Sequence, residues 1–212
     1  MRRLRRHLRT LPPSGFRAPS HCRGWSVKDV VAHLCHIEVY NEACVDGTLQ
    51  DLDFRGGLDA SNARGVRRRR GMTAAQVVAE WERRQKRVRR AWGRIGVRGT
   101  IATAGAGPYP LRLQVWHLAR EYAIHADDIQ VPVPPRARAP RAAWRIGFGL
   151  FAAREDGEPI PARLTRHGVS LRRRGRAILL DPDTFVAYLT GRPQQLDDPV
   201  ERRTVETLLR GR

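Results

Sequence analysis

Long apolar runs are missing from this chain of 212 residues. None approaches the roughly 20 residues needed to span a bilayer, so a membrane-embedded protein is not expected. The N-terminal MRRLRRHLRTLPP lacks the apolar stretch of a signal peptide and the serines of a transit peptide, which makes the cytoplasm the expected compartment. Cysteine is scarce as well. Cys22, Cys35 and Cys44 form no C-x-x-C pair, and an odd count argues for reduced thiols rather than a disulfide framework or a zinc finger. Cys35 and Cys44 fit helical positions as small apolar residues. Lysine is almost absent: Lys28 and Lys86 are the only two among 40 basic residues.

That last shortage bears on the net charge of +19. Such an excess ordinarily points to nucleic acid. An arginine-only excess accompanied by much Ala, Gly and Pro is instead what GC-rich coding produces. The arginines are also spread along the whole chain. The densest runs, Arg67 to Arg70 and Arg172 to Arg174, fall in an expected loop and strand turn and read as solvated surface. Weak, salt-sensitive attraction to polyanions is expected, and specific nucleic-acid binding is not.

What is present is a globular composition, 41% hydrophobic, enough for one core or one domain with a small second. GWSVKDVVAHLCHIEVYNEACVDGTLQD reads as a helix capped by Ser26, with Asp29 completing a capping box. Val30, Leu34, Ile37 and Cys44 mark its buried face, and His33 falls inside that face. Residues 50–72 read as a long mobile loop. Thr73, with Gln76, caps a second helix whose apolar stripe is Val77, Val78, Trp81, Val88 and Trp92. GVRGTIATAGAGPYP is a glycine-rich connection without the Lys-Ser/Thr ending that would cradle phosphate. A third helix starts near Pro110 or Leu111 and carries QVWHLAREYAIHADDIQ. The proline-rich stretch 131–141 reads as a linker between a helical domain, 1–130, and a small α+β domain, 142–212. In the latter, strands turning at HG and RG precede a helix with Asp183 near its start and Gly191 at its end.

The third helix holds an anomaly. Glu121 and His125, four residues apart, lie on the stripe that also carries Val115, Leu118, Tyr122 and Ile129. Such a pair alone is common on helix surfaces and is worth a few tenths of a kcal/mol. Inside a core it is another matter, because an unpaired buried carboxylate costs roughly several kcal/mol or takes up a proton. His33 is misplaced in the same way on the first helix. One divalent metal held by two histidines and a carboxylate accounts for all three, and that set leaves a coordination position open, as in catalytic zinc sites. His117 and His36 are further candidates as ligands or as neighbours of the ligands. One of Asp127 and Asp128 could orient a ligand imidazole. His7, His21 and His167 have no partner suggested by spacing.

GWSVKDVVAHL followed by REYAIHADDI resembles the mycothiol-dependent maleylpyruvate isomerase family of actinobacteria, within the DinB/YfiT-like four-helix bundle superfamily. The first motif is similar to G-W-(S/T)-V-x-D-V-(V/L)-A-H-L and the second to E-x-x-x-H-x-x-D. The resemblance spans roughly residues 8–130, and a looser one continues through FVAYLTGR. It implies a mainly α fold, a DinB-like four-helix bundle with a small α+β C-terminal domain. It implies metal ligands at His33, Glu121 and His125, with His117, His36 and Asp128 as possible surrounding residues. It also implies a divalent metal, zinc being expected, and mycothiol as thiol cofactor. A small-molecule thiol and an electrophilic substrate would then be the partners of a transferase or isomerase, acting as a monomer or a homodimer. Catalytic residues beyond the ligands are left unassigned. The family opens with a full first helix, whereas only residues 1–10 precede LPPSG here; a short first helix or a start further upstream is expected. Two other classes stay open: a non-catalytic metal-binding DinB-like stress or regulatory protein, and a basic nucleic-acid binder.

Overall fold

Helices dominate the computed structural model, which describes residues 1–104, 107–173 and 175–210. The chain folds as two compact units, Met1–Val131 and Pro132–Arg212.

In the first unit, α1 (Arg2–Thr10) is a nine-residue helix that buries Leu4 and Leu8 and exposes most of its arginines. The short α2 (Pro13–Arg17) leads through a tight turn to α3 (Val27–Asp46). The capping box at Ser26 and Asp29 is present, and α3 ends at Gly47 in the left-handed region. Helix α5 (Ala74–Ile95) opens on the capping box of Thr73 and Gln76 and lies along α3. Helix α6 (Leu111–Asp128) starts directly after Pro110, as its sequence indicates. These helices enclose a core of Val30, Val31, Leu34, Val77, Trp81, Val88, Leu118 and Tyr122.

Residues 50–72 are not simply a loop, because α4 (Gly57–Arg67) forms within them. Its sequence has little apolar periodicity because it buries small residues, Ser61 and Gly65 beside Val66, against α3. A side chain at Gly65 would meet the His36 ring at 2.2 Å, so glycine is what lets the two helices approach. The glycine-rich connection contains a hairpin, β1 (Thr100–Thr103) paired antiparallel with β2 (Gly107–Pro110); Gly105 and Ala106 lie outside the described residues. Val115, read as part of the buried stripe of α6, is 43% exposed.

The second unit opens with α7 (Pro135–Glu155), so most of the stretch read as a linker is helical. The strands β3 (Ala162–Thr165), β4 (Gly168–Arg173) and β5 (Arg176–Leu180) form an antiparallel meander in sequence order. Arg174, part of the second arginine run, lies outside the described residues. Helix α8 (Pro182–Thr190) is capped by the Asp181 side chain and closed by Gly191, and α9 (Pro199–Arg210) follows. Ile146, Val169, Leu171, Leu180, Phe185 and Val205 form this unit's own core. The protein is thus mainly α, with a small α+β C-terminal unit. No helix among the described residues is long and apolar enough to cross a membrane.

The packing of α4 on α3 has a consequence for stability. His36 is buried, with Nε2 3.2 Å from the Ser61 hydroxyl. Burial, and then the positive charge of Arg69, push its imidazole down from 6.5 to about 4. Between those values the unfolded chain binds a proton that the folded protein does not. Stability from this group is therefore complete above pH 6.5, falls as pH drops and levels off below about 4. The full effect is about 3 kcal/mol. Urea midpoints measured from pH 7 to pH 4 should decline in the wild type and decline less in His36→Gln.

Candidate metal centre

The site is built where α3 and α6 face each other. Along α6, Leu118 and Tyr122 are buried one turn apart, and Glu121 and His125, also one turn apart, share one side of the helix. The rotation of α6 is pinned by polar contacts the sequence did not reveal. Trp81 Nε1 donates to Tyr122 Oη at 2.7 Å, and Tyr122 in turn donates to Glu38, a fully buried carboxylate. Arg89, on α5, reaches that carboxylate at 3.1 Å. Burial raises the Glu38 carboxyl above its usual range despite the Arg89 charge. Two turns earlier on α6, Gln114 donates to Asn41 at 2.9 Å. With these bonds made, Glu121 lies between two imidazoles.

His33 Nε2 is 3.9 Å from Glu121 Oε2, and His125 Nε2 is 3.6 Å from the same oxygen. The two imidazole rings meet edge to face with centroids 4.5 Å apart. Both histidines are buried, while the Glu121 side chain is 33% exposed and opens the group to solvent. One potential ligand atom from each residue falls within 4.8 Å of the others. Bonds of about 2.0–2.1 Å to a tetrahedral ion place ligand atoms roughly 3.4 Å apart. The two separations to Glu121 Oε2 are a few tenths of an ångström wider. His33 Nδ1 is buried without a hydrogen-bond partner among the described residues, so no hydrogen bond on that side fixes this imidazole. The donor set of two nitrogens and one carboxylate oxygen therefore fits a divalent cation.

Electrostatics favour positive charge at this point. Burial works against the Glu121 carboxylate, but the His125 and His33 imidazoles beside it hold it below the usual range. His33 is pushed down by burial, more than Glu121 lifts it. Burial also opposes a charge on His125, yet hydrogen bonds to Asp128, Cys22 and Glu121 prevail and raise it well above its ordinary value. A cation, whether proton or metal, is what two carboxylates flanking one imidazole select.

The other candidates separate clearly. Asp128 Oδ2 lies 2.9 Å from His125 Nδ1, and Asp128 is fully buried, so this carboxylate orients the imidazole. His36 turns to Ser61 and α4 and contributes no atom to the three-residue group. His117 Nε2 lies 3.1 Å from the Tyr109 hydroxyl on β2, away from that group. Two participants were not anticipated. The Trp25 ring packs on the His33 ring with centroids 5.2 Å apart. Cys22 donates its thiol to Asp128 Oδ2 at 2.9 Å and lies 3.8 Å from His125 Nδ1. Local spacing gives no sign of Cys22, since its partners are more than 100 residues away in the chain.

Known proteins share this architecture. Residues 1–130 match the family described as the mycothiol maleylpyruvate isomerase N-terminal domain. A crystal structure of the mycothiol-dependent maleylpyruvate isomerase superposes with a TM-score of 0.63 at 17% identity, covering 90% of this chain and 84% of that one. A histidine-to-alanine mutant of that isomerase gives a TM-score of 0.64 at 16% identity over the same shares. Identities this low establish likeness of fold alone. No curated protein matches the sequence.

Proposed function

The chain belongs to the family of the mycothiol maleylpyruvate isomerase N-terminal domain, and from that premise we propose that it is a thiol-dependent transferase or isomerase with a divalent metal at His33, Glu121 and His125. Zinc is the metal that the donor set suits best, and mycothiol is the thiol that the family suggests. The electrophile would be a small molecule with an activated carbon. The observation that carries this reading is the convergence of three potential ligand residues, from two helices, on one solvent-facing point.

The chain's own residues divide the work. His33 and His125 would supply neutral nitrogens and Glu121 a negative oxygen to a divalent ion, a donor set that would compensate only part of its charge. Bound there, the ion would lower the pKa of a thiol from its free value of about 8.5 and so supply a thiolate at neutral pH. Asp128 holds His125 with Nδ1–H toward itself, which keeps the Nε2 lone pair on the side of Glu121. Trp25, half-buried against His33, walls one side of the opening and gives a thiol or its electrophile an apolar surface to rest on. The exposed edge of Glu121 marks the direction of approach.

The test is elemental analysis of the purified protein, followed by turnover assays with mycothiol and a panel of unsaturated acid electrophiles. About one divalent ion per chain, and activity abolished by chelator and restored by metal, is the expected result. Metal without turnover on any electrophile would favour the non-catalytic metal-binding class. A protein that stays metal-free after dialysis against zinc would sink the reading. Binding to DNA that falls with salt and ignores chelator would move the weight to the +19 charge.

A further inference from the structure

We propose that Cys22 is a positioning residue for the His33–Glu121–His125 centre, acting through the Asp128 carboxylate; this rests on the metal-binding reading above. The thiol is carried by a tight turn. Between Pro19 and Ser26, which pair as an isolated bridge, the chain folds back on itself. Ser20 N donates to Trp25 O at 2.9 Å, Trp25 N donates to Cys22 O at 3.0 Å, and Cys22 N donates to Ser20 Oγ at 3.1 Å. Gly24, at φ +77°, makes the reversal possible. The turn is then fastened to the end of α6, because His21 N donates to Asp128 O at 2.9 Å.

So built, the turn touches the centre at two points. Its Trp25 ring lies on His33, and its Cys22 thiol reaches Asp128 Oδ2. That oxygen receives two donors, the thiol and His125 Nδ1–H, both at 2.9 Å. A carboxylate held by one donor can rotate about its Cβ–Cγ bond and offer either oxygen. With two donors converging on one oxygen, and its backbone carbonyl held by the same turn, the Asp128 carboxylate is held more firmly than by the imidazole alone. His125 is steadied with it, its Nε2 toward Glu121. Cys22 lies on the Nδ1 side of the ring, the side away from Glu121, so it orients the ligand without joining the ligand group of His33, Glu121 and His125.

Serine preserves the donor at Cys22 and alanine removes it, which makes the pair a direct test. Zinc affinity is measured by chelator competition for wild type, Cys22→Ser and Cys22→Ala, with circular dichroism confirming the fold. Outer partners of metal-bound histidines contribute about 10–100-fold to affinity, and a thiol is a weak donor, so Cys22→Ala is expected to bind zinc roughly 10-fold more weakly. Cys22→Ser should stay near wild type. In the metal-free protein, solvent exchange of the His125 Nδ1–H proton, followed by NMR, should quicken in Cys22→Ala and not in Cys22→Ser. Equal zinc affinity of all three proteins would overturn the proposal, as would a serine variant as weak as the alanine one. A thiolate-to-metal absorption band in the cobalt-loaded wild type, absent from Cys22→Ser, would also overturn it by making Cys22 a ligand. A wild type that binds no zinc would defeat the metal reading by itself, and the exchange rates would then decide on Cys22.

Discussion

Replacing His125 by alanine is expected to weaken divalent-metal binding by more than about 100-fold, beyond the range usual for outer partners of a metal site. Among the described residues, His125 is common to both groups of potential ligands, the group with His33 and Glu121 and the group with Cys22 and Asp128. Its removal therefore cannot be offset by the ion shifting to the other side of the ring. It also leaves the buried Asp128 carboxylate with the Cys22 thiol but without its imidazole partner. A buried carboxylate that loses its imidazole partner tends toward taking up a proton or destabilising the fold. His33→Ala removes one ligand and leaves Asp128 and its partners in place, so its loss of affinity should come with a smaller change in stability. His117→Ala serves as the control. Its imidazole pairs with Tyr109 on the hairpin, and metal affinity should not change. Calorimetric titration with zinc on the three variants, beside their thermal midpoints, checks all of this. An unchanged affinity in His125→Ala would remove the centre from consideration, and an affinity lost in His117→Ala would move it toward the hairpin.

The parts of this centre differ in how far the sequence exposes them, and the difference follows physical range. Ser26 with Asp29, and Thr73 with Gln76, are contacts between residues three apart, so the starts of α3 and α5 can be read directly. Pro110 marks the start of α6 in the same local way. The misfit of His33, Glu121 and His125 on apolar faces is also visible, because a helix fixes which residues share a face. Helix α4 escapes notice for the opposite reason. Its buried face is made of Ser61, Gly65 and Val66, and small residues chosen to let α3 approach leave no hydrophobic period. The hairpin β1–β2 is hidden by its glycines, and the first turns of α7 by its prolines. Cys22 and Trp25 belong to the centre only through tertiary contact, so no spacing rule finds them.

Arg69 is hidden in the same way, with the larger energetic consequence. Arg67 to Arg70 reads as four solvated charges, and three of them are exposed. The fourth, Arg69, is 7% exposed and forms a paired contact with Glu80 on α5, Nε to Oε2 at 2.9 Å and Nη2 to Oε1 at 2.6 Å. Its remaining donor, Nη1, reaches Gly65 O at 2.9 Å, at the point where α4 lies against His36. Burial disfavours the charge on Glu80, but Arg69 and Arg84 hold its carboxyl down at about 2. Arg69 thus joins the end of α4 to α5 by a buried, geometrically matched ion pair. Breaking such a pair from one side costs about 3–5 kcal/mol, since the partner stays buried with its charge uncompensated. Arg84, 2.7 Å from Glu80 and also bonded to Glu42, supplies part of that compensation here. Arg69→Ala is therefore expected to cost about 3 kcal/mol in urea denaturation, at the low end of that range. Removing both charges should cost less than removing one, because apolar replacements for a buried pair are often close to neutral. The double variant Arg69→Met, Glu80→Leu should accordingly be more stable than Arg69→Ala. If Arg69→Ala unfolds at the wild-type urea concentration, this arginine is surface charge like its neighbours, and α4 is held by its small-residue face alone.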